Sequence, residues 1–215
     1  DGACFGYFQM ENDFSGYGYA DLHTAVKVLT SHELFHGVQA AYGGTDAVWF
    51  LEGTATWAEE AFDAGSEDFL SLCGGYLTDT GRSLYEPPGG PVPPFAYGTA
   101  LWWWFLTNRY GNEMMPELLL AMADSPDDAS LIAAMTTLEA DFGGDGAEDF
   151  TTFSRWNLAT GYRAGEAESY PFAADLVGIR AETSGPAVDD ENRFYPLSAS
   201  YYELEWPGGE LFFAN

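Results

Sequence analysis

One short segment carries residue types that could do chemistry together. From His32 to His36 the chain reads His-Glu-Leu-Phe-His. On a helix with about 100° per residue, the two imidazoles lie about 40° apart on one face and can reach one metal ion. Glu33 projects beside them, close enough to take a proton from a metal-bound water. The spacing predicts a hydrolytic metal site, although a pattern this short also recurs by chance.

The surrounding sequence predicts the helices that would position this segment. Apolar residues follow helical spacing at Leu22, Val26, Leu29, Phe35 and Val38. They predict a helix from Asp21 to Tyr42, which the following glycine pair would end. A second helix is expected to begin after Thr45 or Asp46 and to run back, antiparallel, to about Ala64. It would place Glu52 where a third metal ligand is needed.

The two segments together resemble a known family. HELFHGVQ followed by WFLEGTATWAEE resembles the gluzincin metallopeptidases, which include thermolysin and the zinc aminopeptidases, and more narrowly a group of exported bacterial proteins classed as metalloproteases. The resemblance covers residues 1–110 and is strongest from Thr30 to Glu60. It implies His32, His36 and Glu52 as zinc ligands. Three protein ligands leave a fourth position for water, as in catalytic zinc sites.

The resemblance also suggests what surrounds the ligands. Some gluzincins carry an Asp four residues after the ligand Glu, but this chain has Thr56 there. Glu59, on the same helical face as Glu52, could supply a carboxylate to a histidine instead. It could equally be a solvated or capping glutamate. His23 lies about 180° round the first helix from His32, so we expect it to cap the helix or lie on the surface.

Negative charge that develops on an attacked carbonyl needs a hydrogen-bond donor. No histidine follows His36, which closes the route that thermolysin uses. Tyr97 resembles, in order and context, the tyrosine of aminopeptidase-like gluzincins; the alternative is a core aromatic. Tyr85 and Arg109 are weaker candidates, and Arg109 could only cap its helix.

The rest of the chain predicts a mainly helical α+β fold, and the resemblance implies that its catalytic domain is zincin-like. Cys4 to Met10 indicates a short strand, whose edge from Phe5 to Met10 could pair with an extended substrate. The proline- and glycine-rich residues 80–94 predict a loop. Further helices are expected from Ser66 and over Phe95–Tyr110, Glu113–Ala123, Ala129–Phe142 and Glu148–Ala159. Strands are expected at Phe172–Arg180, Phe194–Trp206 and Glu210–Phe213. We therefore predict a gluzincin-like domain over residues 1–168 and a β-rich segment over 169–215, which could open a further β domain.

Composition limits the classes of partner. The chain has 34 Asp plus Glu against 7 Lys plus Arg, a formal net charge of −27. Nucleic acid is not an expected partner, because binding it depends on basic residues, and no apolar run is long enough to span a membrane. The acidity fits solubility or a salty habitat; the functional alternatives are repulsion of acidic substrates or calcium loading. Acidic loops at Asp124–Asp128, Asp141–Asp149 and Asp189–Glu191 could bind Ca²⁺ or simply be solvated.

Taken together, these features predict a secreted bacterial zinc peptidase. Glu33 would act as general base and acid in hydrolysing a protein or peptide substrate, with endopeptidase action favoured. The alternative is a catalytically silent metal-binding or surface-interaction protein on the same scaffold. A third possibility is a fragment, because gluzincin sheets usually precede the motif and only 31 residues precede His32. If the chain is exported, Cys4 and Cys73 could form a disulfide; two buried thiols are the alternative.

Overall fold

The structure, a computed structural model, describes residues 6–16, 18–63, 65, 67–90, 93–184, 195–206 and 209–214. Over these ranges the chain is mainly helical. The helices are α1 (Leu22–Tyr42), α2 (Val48–Phe62), α3 (Asp68–Leu77), α4 (Pro94–Gly98), α5 (Ala100–Tyr110), α6 (Met114–Ala123), α7 (Asp128–Asp141) and α8 (Gly146–Leu158). Short 3-10 turns follow at Gly161–Arg163 and Ala173–Asp175. None of the described helices is long and apolar enough to cross a membrane.

Helices α1 and α2 form an antiparallel hairpin. The Asp21 side chain accepts a hydrogen bond from the Thr24 backbone N–H at 2.8 Å and so caps the start of α1. At the other end Gly43 has a φ of 73°, which a glycine adopts without steric cost, and the helix stops. Lys27 pairs with Asp63 across the hairpin at 3.0 Å. The predicted bounds of α1 are thereby confirmed.

A tryptophan-rich core holds α2 against α4 and α5. The rings of Trp49 and Trp103 stack with centroids 5.2 Å apart. A Cβ at Gly53 would overlap Thr99 Oγ1 and lie 2.7 Å from Trp103 Nε1, so only glycine allows this approach. The predicted single helix over Phe95–Tyr110 is wrong in one respect: it breaks at Thr99, between α4 and α5. There the Thr99 hydroxyl donates to the Trp49 carbonyl, 2.7 Å away, and holds the break against α2.

The helices α6, α7 and α8 match their predicted positions to within two residues at each end. Helix α3 begins at Asp68, and Ser66, its predicted start, lies outside the described residues. The proline-rich segment forms no helix or strand at residues 80–90 and 93, which confirms the predicted loop where it is described. Pro94 then occupies the first position of α4, where its missing N–H costs nothing.

The C-terminal part contains a three-stranded sheet in the order β1-β2-β3. The strands are β1 (Glu182–Ser184), β2 (Tyr201–Trp206) and β3 (Gly209–Ala214). Strand β1 runs parallel to β2, and β2 runs antiparallel to β3. The Tyr201 hydroxyl donates to the Ser154 carbonyl of α8 at 2.8 Å, so the start of β2 packs against the helices.

Two predicted strands are wrong. Phe172–Arg180 contains a 3-10 turn and no strand. Its aromatic residue packs into the helical core instead: the Phe172 ring lies edge-on to Trp104, with centroids 4.9 Å apart. Residues 6–10 also form no strand, because no described segment pairs with them and Tyr7 and Phe8 are exposed rather than packed on a face. Cys4 and Phe5 lie outside the described residues.

Candidate metal centre

Three potential ligand atoms from α1 and α2 converge on one point. His32 Nε2 lies 3.1 Å from His36 Nε2 and 3.3 Å from Glu52 Oε2. The third separation, from His36 Nε2 to Glu52 Oε2, is 3.6 Å. Within the described residues, these three side chains form the group of His, Cys, Asp or Glu that could hold a metal ion.

The separations fit a small tetrahedral ion. Zinc bonds to histidine nitrogen and carboxylate oxygen are about 2.0 to 2.1 Å, which places ligand atoms about 3.3 to 3.4 Å apart in a tetrahedron. The observed values of 3.1, 3.3 and 3.6 Å bracket that figure. Two nitrogens and one oxygen are also a ligand set that zinc accepts. The donor geometry therefore suits Zn²⁺, although it does not by itself identify the metal.

Glu59 orients the first histidine through Nδ1, the ring nitrogen that does not face the cluster. Its Oε1 lies 2.7 Å from His32 Nδ1, and the carboxylate is only 3% exposed. An acceptor at Nδ1 keeps a proton on that nitrogen and turns Nε2 towards the point where the three potential ligand atoms converge. Thr56, at the position where some gluzincins carry Asp, is buried, and no described group bonds its hydroxyl. The sequence allows two roles for Glu59, and the structure shows the one in which its carboxylate bonds a histidine.

Gln39 orients the second histidine, and sequence reasoning missed it. Its Oε1 lies 2.7 Å from His36 Nδ1. Its Nε2 donates to the Leu51 carbonyl at 2.8 Å and to Thr54 Oγ1 at 2.7 Å. Because the amide N–H groups face two acceptors on α2, the amide oxygen must face His36. The available signal was its position three residues after His36, on the same face of α1.

The carboxylates favour positive charge at this point. Burial alone lowers the pKa of His32, but hydrogen bonds and charge from Glu52 and Glu59 outweigh it and raise that pKa to about 9. Burial opposes ionisation of Glu52 as well, yet bonds from both histidines lower its pKa to about 2. For Glu59 burial dominates and raises the pKa, with the His32 bond as a partial offset. A proton and a metal ion compete for the same Nε2 lone pairs. Carboxylates that stabilise a bound proton therefore also stabilise a bound metal cation.

Glu33 and Tyr97 lie at the edge of the cluster. Glu33 follows His32 on α1 and is half-buried. The Tyr97 ring, on α4, lies 5.8 Å from the His32 ring between centroids. Burial and the charges of Glu52 and Glu33 raise the pKa of Tyr97, so its hydroxyl stays protonated and can donate a hydrogen bond. The structure thus brings both residues near the metal ligands.

The weaker candidates lie elsewhere or have other partners. Arg109 Nε pairs with Asp149 at 2.8 Å, at the end of α5. Tyr85 is a partly buried aromatic packed on the core, and His23 is exposed on α1. The Cys73 thiol is buried, with Sγ 3.1 Å from the Phe69 carbonyl oxygen. Its predicted disulfide partner, Cys4, lies outside the described residues, so that pairing stays a prediction.

The acidic loops serve as helix caps where the structure describes them. Asp127 caps α7 and Asp145 caps α8. Asp128 accepts a hydrogen bond from Trp49 Nε1 at 2.9 Å. The loop at Asp189–Glu191 lies outside the described residues. The described residues of these loops form no cluster of side chains that could hold a metal ion, so calcium binding there stays a prediction.

Comparison with family models, with curated proteins and with solved structures finds no match to this chain. The geometry of the cluster and the motifs that form it are therefore the observations that bear on function.

Proposed function

We propose that this protein is a zinc-dependent peptidase of the gluzincin type, acting within protein or peptide chains. The main support is the convergence of His32 Nε2, His36 Nε2 and Glu52 Oε2 at distances that suit zinc. Zinc, when bound, supplies a Lewis acid that polarises the substrate carbonyl and makes water a better nucleophile. Secretion and a protein or peptide substrate belong to the same proposal.

The protein's own side chains divide the remaining work. The Glu33 carboxylate takes a proton from the attacking water and returns it to the nitrogen of the leaving amine. The protonated Tyr97 hydroxyl donates a hydrogen bond to the oxygen on which negative charge develops. Glu59 and Gln39 hold the two imidazoles in the tautomers that leave Nε2 free. Each role uses a side chain that lies at or beside the cluster, which supports the proposal.

A glutamine at position 33 tests the proposal. Glu33→Gln keeps the shape of the side chain but cannot accept the proton. We expect cleavage of unstructured proteins such as casein to fall by about 10²- to 10⁴-fold, with zinc content unchanged. Gel electrophoresis and mass spectrometry of the products measure cleavage, and elemental analysis measures zinc.

The matched control is Glu117→Gln, an exposed residue on α6 that changes the net charge by the same amount. It should cleave as the wild type does. If the zinc-loaded wild type and Glu33→Gln leave every substrate equally intact, the enzyme proposal fails. The metal-binding but silent protein would then be the better account.

A further inference from the structure

Helix α4, which carries Tyr97, is too short to fix its own position. It has five residues, Pro94–Gly98, and isolated helices that short are not stable in water. Its place therefore depends on the neighbouring helices. Phe95 is 2% exposed, and its ring lies edge-on to Tyr76 of α3 with centroids 5.4 Å apart. One face of α4 is thus packed on α3, while the partly exposed Tyr97 ring lies 5.8 Å from the His32 ring.

Two glycines allow α4 to lie this close to α3. A Cβ at Gly75, inside α3, would overlap the carbonyl group of Pro94 and lie 2.8 Å from the Phe95 nitrogen. A Cβ at Gly98, at the end of α4, would lie 2.6 Å from the Tyr76 nitrogen. These are backbone atoms, which cannot turn aside as the end of a flexible side chain can. A larger residue at either position therefore displaces α4 relative to α3.

The close approach explains the use of glycine at one of two neighbouring positions in α3. Glycine inside a helix is less favourable than alanine, yet α3 contains Gly74 and Gly75 in succession. A Cβ at Gly74 would meet only Val177 Cγ2 at 3.4 Å, an ordinary van der Waals contact. Alanine is thus sterically acceptable at Gly74 and not at Gly75. The pair therefore provides a matched control within one helix.

The other side of α4 is held by the helix that carries a potential metal ligand. Gly53 follows Glu52 on α2, and a Cβ at Gly53 would overlap the hydroxyl oxygen of Thr99, the residue after α4. The Thr99 hydroxyl lies 2.7 Å from the Trp49 carbonyl of α2. Contacts with α2 and with α3 together therefore set where Tyr97 lies relative to Glu52.

We propose that Gly75 and Gly98 are positioning residues for Tyr97. The approach that they allow brings the Tyr97 hydroxyl to the place where it donates to the oxygen that becomes negatively charged. The inference rests on the proposed function, in which Tyr97 has that role. Such a hydrogen bond depends steeply on distance and angle, so a shift of α4 by about 1 Å removes most of its benefit. The potential zinc ligands come from α1 and α2, so the same shift leaves them in place.

Binding of a tetrahedral, anionic inhibitor tests this role without requiring turnover. A short phosphinic peptide carries a charged oxygen where the oxyanion would develop. Calorimetry measures its affinity for the zinc-loaded proteins, and competition with a fluorescent chelator measures zinc affinity. We expect Tyr97→Phe to lose at least about 10-fold in phosphinate affinity, the size of a hydrogen bond to a charged group. Gly75→Ala should lose most of the same factor with zinc affinity unchanged, and the control Gly74→Ala should lose nothing.

The double variant separates positioning of Tyr97 from a general disturbance of the fold. Residues that act through one group are not additive, so Gly75→Ala should have no further effect once Tyr97→Phe has removed the hydroxyl. If Gly75→Ala keeps the phosphinate affinity of the wild type, the positioning role fails. It also fails if Gly75→Ala costs as much without the hydroxyl as with it.

The remaining outcomes separate this proposal from the one before it. If circular dichroism shows that Gly75→Ala does not fold, Gly98→Ala takes its place. If neither variant folds, the glycines serve the fold as a whole and the positioning role is wrong. Equal phosphinate affinity in wild type and Tyr97→Phe contradicts this proposal but leaves the metal site and Glu33 untouched. If the phosphinate does not bind zinc-loaded wild type at all, the peptidase proposal fails as well.

Discussion

Buried or partly buried carboxylates occur in two regions of this protein, and their neighbours differ. Glu52 and Glu59, on α2, face histidine nitrogens at 3.3 and 2.7 Å. Glu139, on α7, is fully buried, and neither of its oxygens has a hydrogen-bond partner among the described residues. Its charged neighbours are the acids Asp145 and Asp149. The first surroundings stabilise a cation beside the ionised Glu52 carboxylate, whereas the second favour a carboxyl that keeps its own proton.

The contrast shows how little burial alone says about function. Burial raises the cost of an ionised carboxylate in both regions. For Glu52 that cost is offset by imidazole groups that can carry a proton or bind a metal, whereas for Glu59 the bond to His32 offsets it only in part. At Glu139 no described residue offsets it, so desolvation, followed by the charges of Asp149 and Asp145, raises the pKa to about 8. A carboxyl group with a shifted pKa indicates a metal site only where basic groups such as imidazoles face it.

A Glu→Gln substitution should therefore weaken metal binding in the first region and stabilise the fold in the second. The largest effect is expected for Glu52→Gln, which removes the one anionic ligand. We expect zinc affinity to fall at least about 100-fold, since a structural set of ligands contributes about 10 to 16 kcal/mol of binding in total. Competition with a fluorescent chelator measures it. Glu117→Gln should retain the affinity of the wild type; an equal loss in both variants would point to bulk charge rather than ligation.

Glu139→Gln should instead stabilise the fold, and increasingly so as pH rises from about 5 to about 8. The folded-state pKa is about 8 and the reference value 4.5, so the unfolded chain gives up this proton first as pH rises. Stability from the protonated carboxyl is complete below pH 4.5 and is lost as pH approaches 8. At pH 7 the loss is of the order of 3 kcal/mol. The variant lacks this loss, so its advantage in urea unfolding should grow between pH 5 and 8.

A constant difference between wild type and Glu139→Gln across that range would mean that Glu139 does not titrate as proposed. Comparing the two proteins at each pH removes the contributions of other titrating groups.

A smaller effect is expected at Gln39, which touches the cluster through one histidine. Gln39→Leu removes the acceptor for His36 Nδ1, and we expect a 10- to 100-fold loss of zinc affinity. Gln39→Glu keeps an oxygen in that place and should retain more of the affinity. The exposed Gln9 offers a matched control, Gln9→Leu. If both Gln39 variants lose the same amount, the role of this residue is to join the two helices, not to orient the imidazole.

The sequence predicted the metal cluster more fully than the fold around it. Helical periodicity is enough to place His32, His36 and Glu52 on facing sides of a hairpin, because all depend on local geometry. Gln39 was missed because a glutamine in a helix is usually solvated, and only its contacts with α2 show otherwise.

The errors in the fold have tertiary causes. At the break, the Thr99 hydroxyl lies 2.7 Å from the Trp49 carbonyl of another helix as well as 2.7 Å from the Ala96 carbonyl of its own. Similarly, Phe172 has high strand propensity, but its partly buried ring packs edge-on against Trp104 of α5, and this contact overrides the local preference. Neither contact can be read from a pattern along the chain.

The α1–α2 hairpin also has a consequence for how the protein assembles. All the side chains that bind or orient the imidazoles come from these two helices, which are adjacent in sequence. Contacts between near neighbours in the chain close at low entropic cost and form early. Tyr97 reaches the cluster only once α4 has docked. We therefore expect the capacity to bind metal to arise before the capacity to react, in the order in which the chain folds.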